Sequence, residues 1–374
     1  MPLHELIRLH DQDAAYGLIP LWLARAFVFA FGLLWGSFLN VVIYRVPRDM
    51  SVVRPGSHCP GCQKPIAGYD NIPVITWLLL RGRSRCCNTK ISVRYPLVEL
   101  MGGVLSLAVF EVIILALPGG TPAGRALAIY GADFMLCLGM VAAAFIDAEN
   151  MFLPDSITIG GTVLGLATAT LRGGTLVDSV VGAVVGFIGI WFPFIFLYKG
   201  FRGRAGMGLG DAKLLALAGA WFGWQGALVT VLGGSLQGTL GAAIAYFFGW
   251  KPTLPDAVVE DIKELEALAA KGDKEAIEAL AQDPLTEEEN PFILNFFRRL
   301  LGLPLPEPEP DEHEEPELEG PPEEHEMEEM QQLQSVDEKP RIPFGPFLIL
   351  AILELMFAGD WLRAHLLPLF WPIF

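Results

Sequence analysis

Two aspartates stand at the ends of apolar runs, where a carboxyl group is costly and therefore informative. Asp147 closes one run in AAAFIDAENMFLPD, and Asp211 opens another in GMGLGDAKLLAL. An ionisable residue at membrane depth points to function by default. Two carboxyl groups in one desolvated site cannot easily both ionise, so one keeps a proton while the other stays charged. Such a pair can activate a water and protonate a leaving amine, which is what hydrolysis of a peptide bond requires. Gly206, Gly208 and Gly210 precede the second aspartate and would let a substrate backbone approach it closely. A structural reading competes. An aspartate ahead of an apolar helix is a good N-cap, which would account for Asp211 and for Asp155 after Pro154. Asp147 can simply mark a helix leaving the membrane. Spacing alone leaves both readings open.

The cysteines suggest a second chemistry. Cys59 and Cys62 lie in HCPGCQKPI, and Cys86 and Cys87 follow in RSRCCNTKI. An odd total of five cysteines, four of them tightly spaced in a polar and basic loop, argues against a secreted disulfide framework. One C-x-x-C pair with further cysteines at this distance is a zinc-site pattern. Zinc would fix a loop with too few apolar residues to fold by itself. The competing reading is a set of free buried thiols. Cys137 sits inside an apolar run and reads as packing.

The elements that must carry these groups are membrane helices. Hydrophobic residues make up 52% of the 374, charged residues only 18%, and mean hydropathy is +0.44. A soluble domain of this length would be poorer in apolar residues and richer in charge. A hydrocarbon core about 30 Å thick takes roughly 20 apolar residues. That length predicts an all-α polytopic membrane protein with about eight spans. They are near 20–44, 96–117, 125–146, 155–171, 177–198, 212–222, 227–250 and 344–370. The sixth is long enough only if its helix starts at Gly210–Asp211. The first run is too long for a signal-peptide core and no small-residue cleavage pattern closes it, so it reads as an uncleaved span. Asn40 in the first span and Glu99 in the second each need a polar partner across helices, whether for packing or to line a site.

Positive charge sets the orientation. Arg45, Arg48, Arg54, Lys64, Arg81, Arg83, Arg85, Lys90 and Arg94 follow the first span, and Lys199, Arg202, Arg204 and Lys213 follow the fifth. Only Arg125 and Arg172 edge the opposite side. The cysteine loop, Asp147 and Asp211 are therefore all expected at the cytoplasmic face, with both termini outside.

The net charge of -16 belongs to one appendage. The segment 251–341 holds 27 of the 42 acidic residues and 8 of the 26 basic ones, so the remainder is mildly basic. Residues 256–282 have the spacing of soluble amphipathic helices. NPFILNFFRRLLGLPLP is apolar and basic enough to lie on a membrane surface. Residues 307–338 are rich in Pro and Glu and are expected to be disordered. No internal repeat stands out.

These motifs resemble the bacterial prepilin leader peptidases of type IV pilus and type II secretion systems. The resemblance rests on GSFLNVVIYRVP, CPGCQKPI, IPVITWLLLRGR, ISVRYPLVEL, FIDAENMFLPD, GMGLGDAKLLALAGAWFGW and IPFGPFLILA, in the family's order. It covers most of the chain outside the acidic segment. It implies an aspartic endopeptidase of the bacterial inner membrane that removes the basic leader of prepilins or pseudopilins after a glycine, on the cytoplasmic side. Many members then N-methylate the new terminus with S-adenosylmethionine. Asp147 and Asp211 fall at the family's two catalytic aspartates, whereas Asp155 matches a position that is not catalytic. The implied organisation is a polar segment 1–19, a first span 20–44, a cytosolic cysteine loop 45–95, a peptidase core 96–250, an acidic cytosolic insertion 251–341 and a last span and terminus 342–374.

Two departures matter. The larger members carry two zinc-binding C-x-x-C pairs. Here Cys59, Cys62 and Cys87 match, but Ser84 stands in the third position, with Cys86 or His58 as substitutes. The acidic insertion interrupts what is generally a short loop, either to recruit secretion or pilus machinery or as a tolerated surface addition. The expected partners are a prepilin or pseudopilin and membrane lipid, with no nucleic acid. Two alternatives remain: a peptidase without methyltransferase activity, and a non-enzymatic scaffold or transporter. No residue is assigned to the methyl donor.

Overall fold

The computed structural model describes residues 20–198, 207–249 and 343–365, with scattered positions between 255 and 268. The expectations for 1–19, for Gly206, Lys199, Arg202 and Arg204, and for nearly all of the acidic segment fall outside the described residues. The described residues are helical, without named strands. The long elements are α1 (Leu21–Arg45), α3 (Arg94–Ala108), α4 (Ala123–Asn150), α5 (Asp155–Thr168), α6 (Leu176–Ile190), α7 (Leu209–Phe247) and α8 (Gly345–His365). A short α2 (Ile75–Leu79) lies in the loop between α1 and α3. Five helical stretches are long and apolar enough to cross a membrane, and a sixth apolar stretch, Gly345–Gly359, is shorter.

Helix ends follow local chemistry. Thr175 caps α6 by accepting a hydrogen bond from the Asp178 N–H at 3.0 Å. The α6 helix then widens into a π-helical turn over Trp191–Leu197, where Pro193 has no N–H to continue the regular ladder. A second π-helical stretch, Val109–Ile114, extends α3. The expected sixth and seventh spans are two helical halves of α7, which meet at a kink at Gly223 with φ 72° and ψ 178°. Only glycine takes that backbone conformation without strain.

The chain divides into two compact units. The first comprises Met1–Trp191, Gly210–Ala243 and Pro343–Phe374. Its core joins Leu39 and Ile43 of α1, Val98 of α3, and Phe134, Leu138, Val141 and Ile146 of α4. The second unit, Phe192–Leu209 and Ile244–Ile342, is described mainly at its two helical edges.

In an apolar solvent, helices gain by close packing rather than by hiding from water, so small residues collect where backbones meet. A Cβ at Gly36 would lie 2.7 Å from Glu99 Cα, and one at Gly182 would lie 2.8 Å from Gly223 Cα. Polar groups are satisfied between helices as well. Asn40 Nδ2 donates to Tyr95 O at 3.1 Å, which is the cross-helix partner its position demanded. Ser106 Oγ donates to Val28 O at 2.6 Å and lies 2.7 Å from the Tyr130 hydroxyl, so α1, α3 and α4 share one polar node.

Gly36→Ala is therefore expected to push α1 from α3, costing about 1–3 kcal/mol. Thermal unfolding of the detergent-solubilised protein would show a lowered midpoint. Gly131→Ala inside α4, where an added Cβ meets nothing within 4 Å, is expected to hold the midpoint or raise it slightly, since alanine favours the helix.

Candidate active site and cysteine centre

Asp147 lies in the last turn of α4. The turn is closed by Met151, which adopts φ 56° and donates its N–H to Asp147 O at 2.9 Å. The side chain is 6% exposed, and its Oδ2 is buried with no hydrogen-bond partner among the described residues. Sealing it is Gly345, the first residue of α8. A Cβ there would lie 2.5 Å from Asp147 Oδ2, so any larger residue would displace the carboxyl group.

Asp211 is half-buried in the first turn of α7, after Gly208 at the N-cap. Its helix start is anchored by the buried residues Ala212, Leu214 and Leu215, and by an ion pair from Lys213 Nζ to Asp155 Oδ1 at 2.7 Å. Asp155 is thus a tether between α5 and α7. Buried Leu153 packs both on Gly345, which seals Asp147, and on Gly210, which precedes Asp211. A Cβ at Gly210 would meet Leu153 Cβ at 3.1 Å, and one at Gly345 would meet Leu153 Cδ2 at 3.4 Å. Asp147, Gly345, Leu153, Gly210 and Asp211 therefore form one continuous neighbourhood. Sequence reasoning named the aspartates and Gly210 but missed Leu153 and Gly345, whose roles depend on contacts distant in sequence.

The cysteine loop is built from two equivalent turns. In the first, Cys59 N–H donates to Lys64 O at 2.8 Å and Gln63 N–H to Cys59 O at 2.9 Å. In the second, Ser84 N–H donates to Thr89 O at 2.9 Å and Asn88 N–H to Ser84 O at 3.0 Å. Isolated bridges pair His58 with Pro65 and Arg83 with Lys90, and the left-handed residues are Gln63 (φ 57°) and Asn88 (φ 59°). Every feature of one turn recurs 25 positions on in the other. Ser84 therefore occupies the backbone position of Cys59, and Cys87 that of Cys62.

The four thiols nevertheless converge. The Sγ atoms of Cys59, Cys62, Cys86 and Cys87 all lie within 4.8 Å of one another. Individual separations are 3.5 Å for Cys59–Cys87, 3.3 Å for Cys62–Cys86 and 3.9 Å for Cys86–Cys87. A tetrahedron with metal–sulfur bonds of about 2.3 Å has edges near 3.8 Å, so the spacing fits a four-thiolate ion. Cys86 brings the fourth sulfur to the cluster where Ser84 has none, and His58 is not part of it. Ser84 keeps a supporting role, with Oγ 3.1 Å from Cys87 Sγ and accepting the Thr89 N–H at 3.1 Å. That hydroxyl is the main cause that lowers the Cys87 pKa to about 5, while the contact with Cys62 leads in pushing Cys86 up to about 12. Gly61 has no room for a side chain, since a Cβ would lie 2.2 Å from Thr89 Oγ1.

Polar contacts bind this loop to the aspartate helix. Glu99 of α3 accepts the Val74 N–H at 2.7 Å, which is the partner its buried position required. Arg94, the first residue of α3, forms an ion pair with both carboxylate oxygens of Glu149, two residues beyond Asp147. Asp133, a further buried acid on α4, went unnoticed in the sequence although an acid inside an apolar run was the signal. It lies about 21 Å along the helix from Asp147 and takes no part in the site. Cys137 packs with its sulfur 3.6 Å from that of Met356, as its apolar setting suggested.

Comparisons with known proteins place the chain in a family. Residues 30–113 match the bacterial peptidase A24 N-terminal domain, and residues 134–244 match the type IV leader peptidase family. A prepilin leader peptidase/N-methyltransferase from Myxococcus xanthus is 37% identical over 347 residues, covering 92% of this chain and 93% of the relative. The chain belongs to the type IV leader peptidase family. Proteins of the same name from Aeromonas hydrophila and Klebsiella pneumoniae are each 39% identical, covering 60% and 55% of this chain and 82% and 89% of their own. The Myxococcus match is long enough that most of the acidic segment falls within it. No solved structure matches the chain.

A clear test of the cysteine geometry follows. Cys86→Ser should sharply lower the metal content of the purified protein measured by elemental mass spectrometry. Adding Ser84→Cys to that variant should restore it, because position 84 is the backbone equivalent of Cys59.

Proposed function

We propose that this chain is a membrane aspartic endopeptidase that cleaves prepilin or pseudopilin leaders after a glycine at the cytoplasmic face of the inner membrane. The observation that carries this reading is the shared neighbourhood of Asp147 and Asp211 around Leu153, in a member of the leader peptidase family. The unpartnered Asp147 oxygen suits a group whose hydrogen bond is completed by water or substrate. One carboxyl of the pair carries the proton. The ionised partner takes a proton from water as its oxygen adds to the scissile carbonyl. The protonated carboxyl then delivers its proton to the departing amine nitrogen as the C–N bond breaks. A new carboxyl terminus and a new amino terminus result, and the pair regains its single shared proton.

Methylation of the new terminus is carried from the relatives' name and would use S-adenosylmethionine as methyl donor. Zinc is the ion we assign to Cys59, Cys62, Cys86 and Cys87, on the strength of four sulfur ligands at tetrahedral spacing. When bound it would supply a structural cross-link between the two turns, not a reacting group. The acidic segment 251–341 is offered as a contact for secretion or pilus machinery.

Asp147→Asn and Asp211→Asn are each expected to abolish cleavage of a co-expressed prepilin while leaving the protein in the membrane. Unchanged processing in both would instead support a scaffold or transporter. Mass spectrometry of the mature pilin terminus separates a bifunctional enzyme from a peptidase alone. Gly345→Ala moves the Asp147 carboxyl without changing its chemistry. It should lower the cleavage rate about 100-fold, the usual consequence of misplacing a reacting group by an ångström.

A further inference from the structure

The loop that carries the cysteines also presents an apolar face that none of the described residues covers. In α2, Ile75, Leu78 and Leu79 are 53%, 61% and 76% exposed. Their i, i+3, i+4 spacing puts them on one stripe of the helix. The opposite side of α2 is held inward: Thr76 Oγ1 donates to Tyr69 O at 3.2 Å and Trp77 Nε1 to Ile91 O at 3.1 Å. The stripe is thus fixed in direction by the loop's own hydrogen bonds.

Its height is fixed as well. The Val74 N–H immediately before α2 is bonded to Glu99, five residues inside the membrane-crossing stretch that begins at Arg94. Five residues of helix are about 7.5 Å. The amide that starts α2 is therefore level with the second turn of a spanning helix, near the boundary between headgroups and acyl chains. Arg81 and Arg83 follow the stripe at once, both exposed. An apolar stripe at this level, edged by guanidinium groups, matches an anionic bilayer surface in both polarity and charge.

We propose that Ile75, Leu78 and Leu79 insert into the leaflet where α3 begins, with Arg81 and Arg83 on the phosphates of anionic lipids. The bilayer then serves as the third support of the cysteine centre, beside the Glu99–Val74 bond and the Arg94–Glu149 ion pair. It holds the two cysteine turns at constant height beside the end of the Asp147 helix.

The test uses the full chain in nanodiscs of equal phosphatidylglycerol and phosphatidylcholine, with a benzophenone amino acid at position 79. Leu100, an exposed residue of α3, gives the lipid-facing reference, and Lys64 in the first cysteine turn gives the solvent reference. Position 79 should yield lipid adducts at a level close to position 100, with none at position 64. Those adducts should be enriched severalfold in phosphatidylglycerol, and Arg81→Gln with Arg83→Gln should bring the two lipids to parity. An adduct to a protein at position 79, or no lipid adduct while position 100 reacts, overturns the proposal. Equal labelling of both lipids by the chain with native arginines overturns its anionic part.

Discussion

A carboxyl oxygen buried with no hydrogen-bond partner among the described residues is the feature around which the rest of the first unit is arranged. Asp147 Oδ2 is enclosed where α4 ends, and it stays there because Gly345 contributes no side chain to fill the space. Buried polar atoms are seldom left unsatisfied unless something else completes them. The enclosure needs two helices to arrive at one point from distant parts of the sequence. Leu153 is the wedge that sets both approaches, since it packs on Gly345 at the start of α8 and on Gly210 at the start of α7. The Lys213–Asp155 ion pair fixes the same junction from its more exposed side, where such a pair contributes little by itself but defines register.

The cysteine centre is a separate device joined to that junction by charge. Its two turns have the same backbone, so a symmetric site would place its third thiol at residue 84. The chain has a serine there and recruits the thiol of Cys86 instead. The serine hydroxyl keeps a use, supporting the Cys87 sulfur. The turns reach the aspartate helix through α3, whose first residue pairs with Glu149 and whose second turn holds the Val74 amide. Whatever stiffens the cysteine turns is therefore transmitted to the end of α4, two residues from Asp147.

What was legible in the sequence and what was not divides along physical lines. Helix existence was legible, because an apolar run of spanning length has few other uses. So were the needs of Asn40 and Glu99, because an amide or carboxyl in such a run must find a partner; Tyr95 and Val74 supply them. The two aspartates were legible as acids at helix edges, and the ordered motifs raised them above a capping role. The pairing of Ser84 and Cys87 with Cys59 and Cys62 was legible from the ordered motifs, but the shared backbone of the two turns was not. It resides in positive φ at Gln63 and Asn88 and in carbonyl hydrogen bonds, while the residues themselves differ at nearly every matched position. The break near Gly223 was legible as the gap between the expected sixth and seventh spans, though not which residue makes it. Gly345 and Leu153 depended on partners distant in sequence, which no local pattern reveals.

The acidic segment poses a physical question that the packing answers. A connection of about 90 residues ends four residues before Gly345, yet Gly345 must sit so close to Asp147 that a Cβ there would lie 2.5 Å from its Oδ2. Loop closure grows only logarithmically with length, so lengthening a connection from about 10 to about 90 residues costs roughly 2 kcal/mol. Against this, α8 is seated on α7 through glycine contacts that leave no play. A Cβ at Gly234 would lie 2.8 Å from Leu348 Cδ2, and one at Gly241 would lie 3.2 Å from Phe347. Further along, Gln237 Nε2 donates to Glu354 Oε2 at 2.7 Å. These lateral contacts and Leu153 fix the position of Gly345.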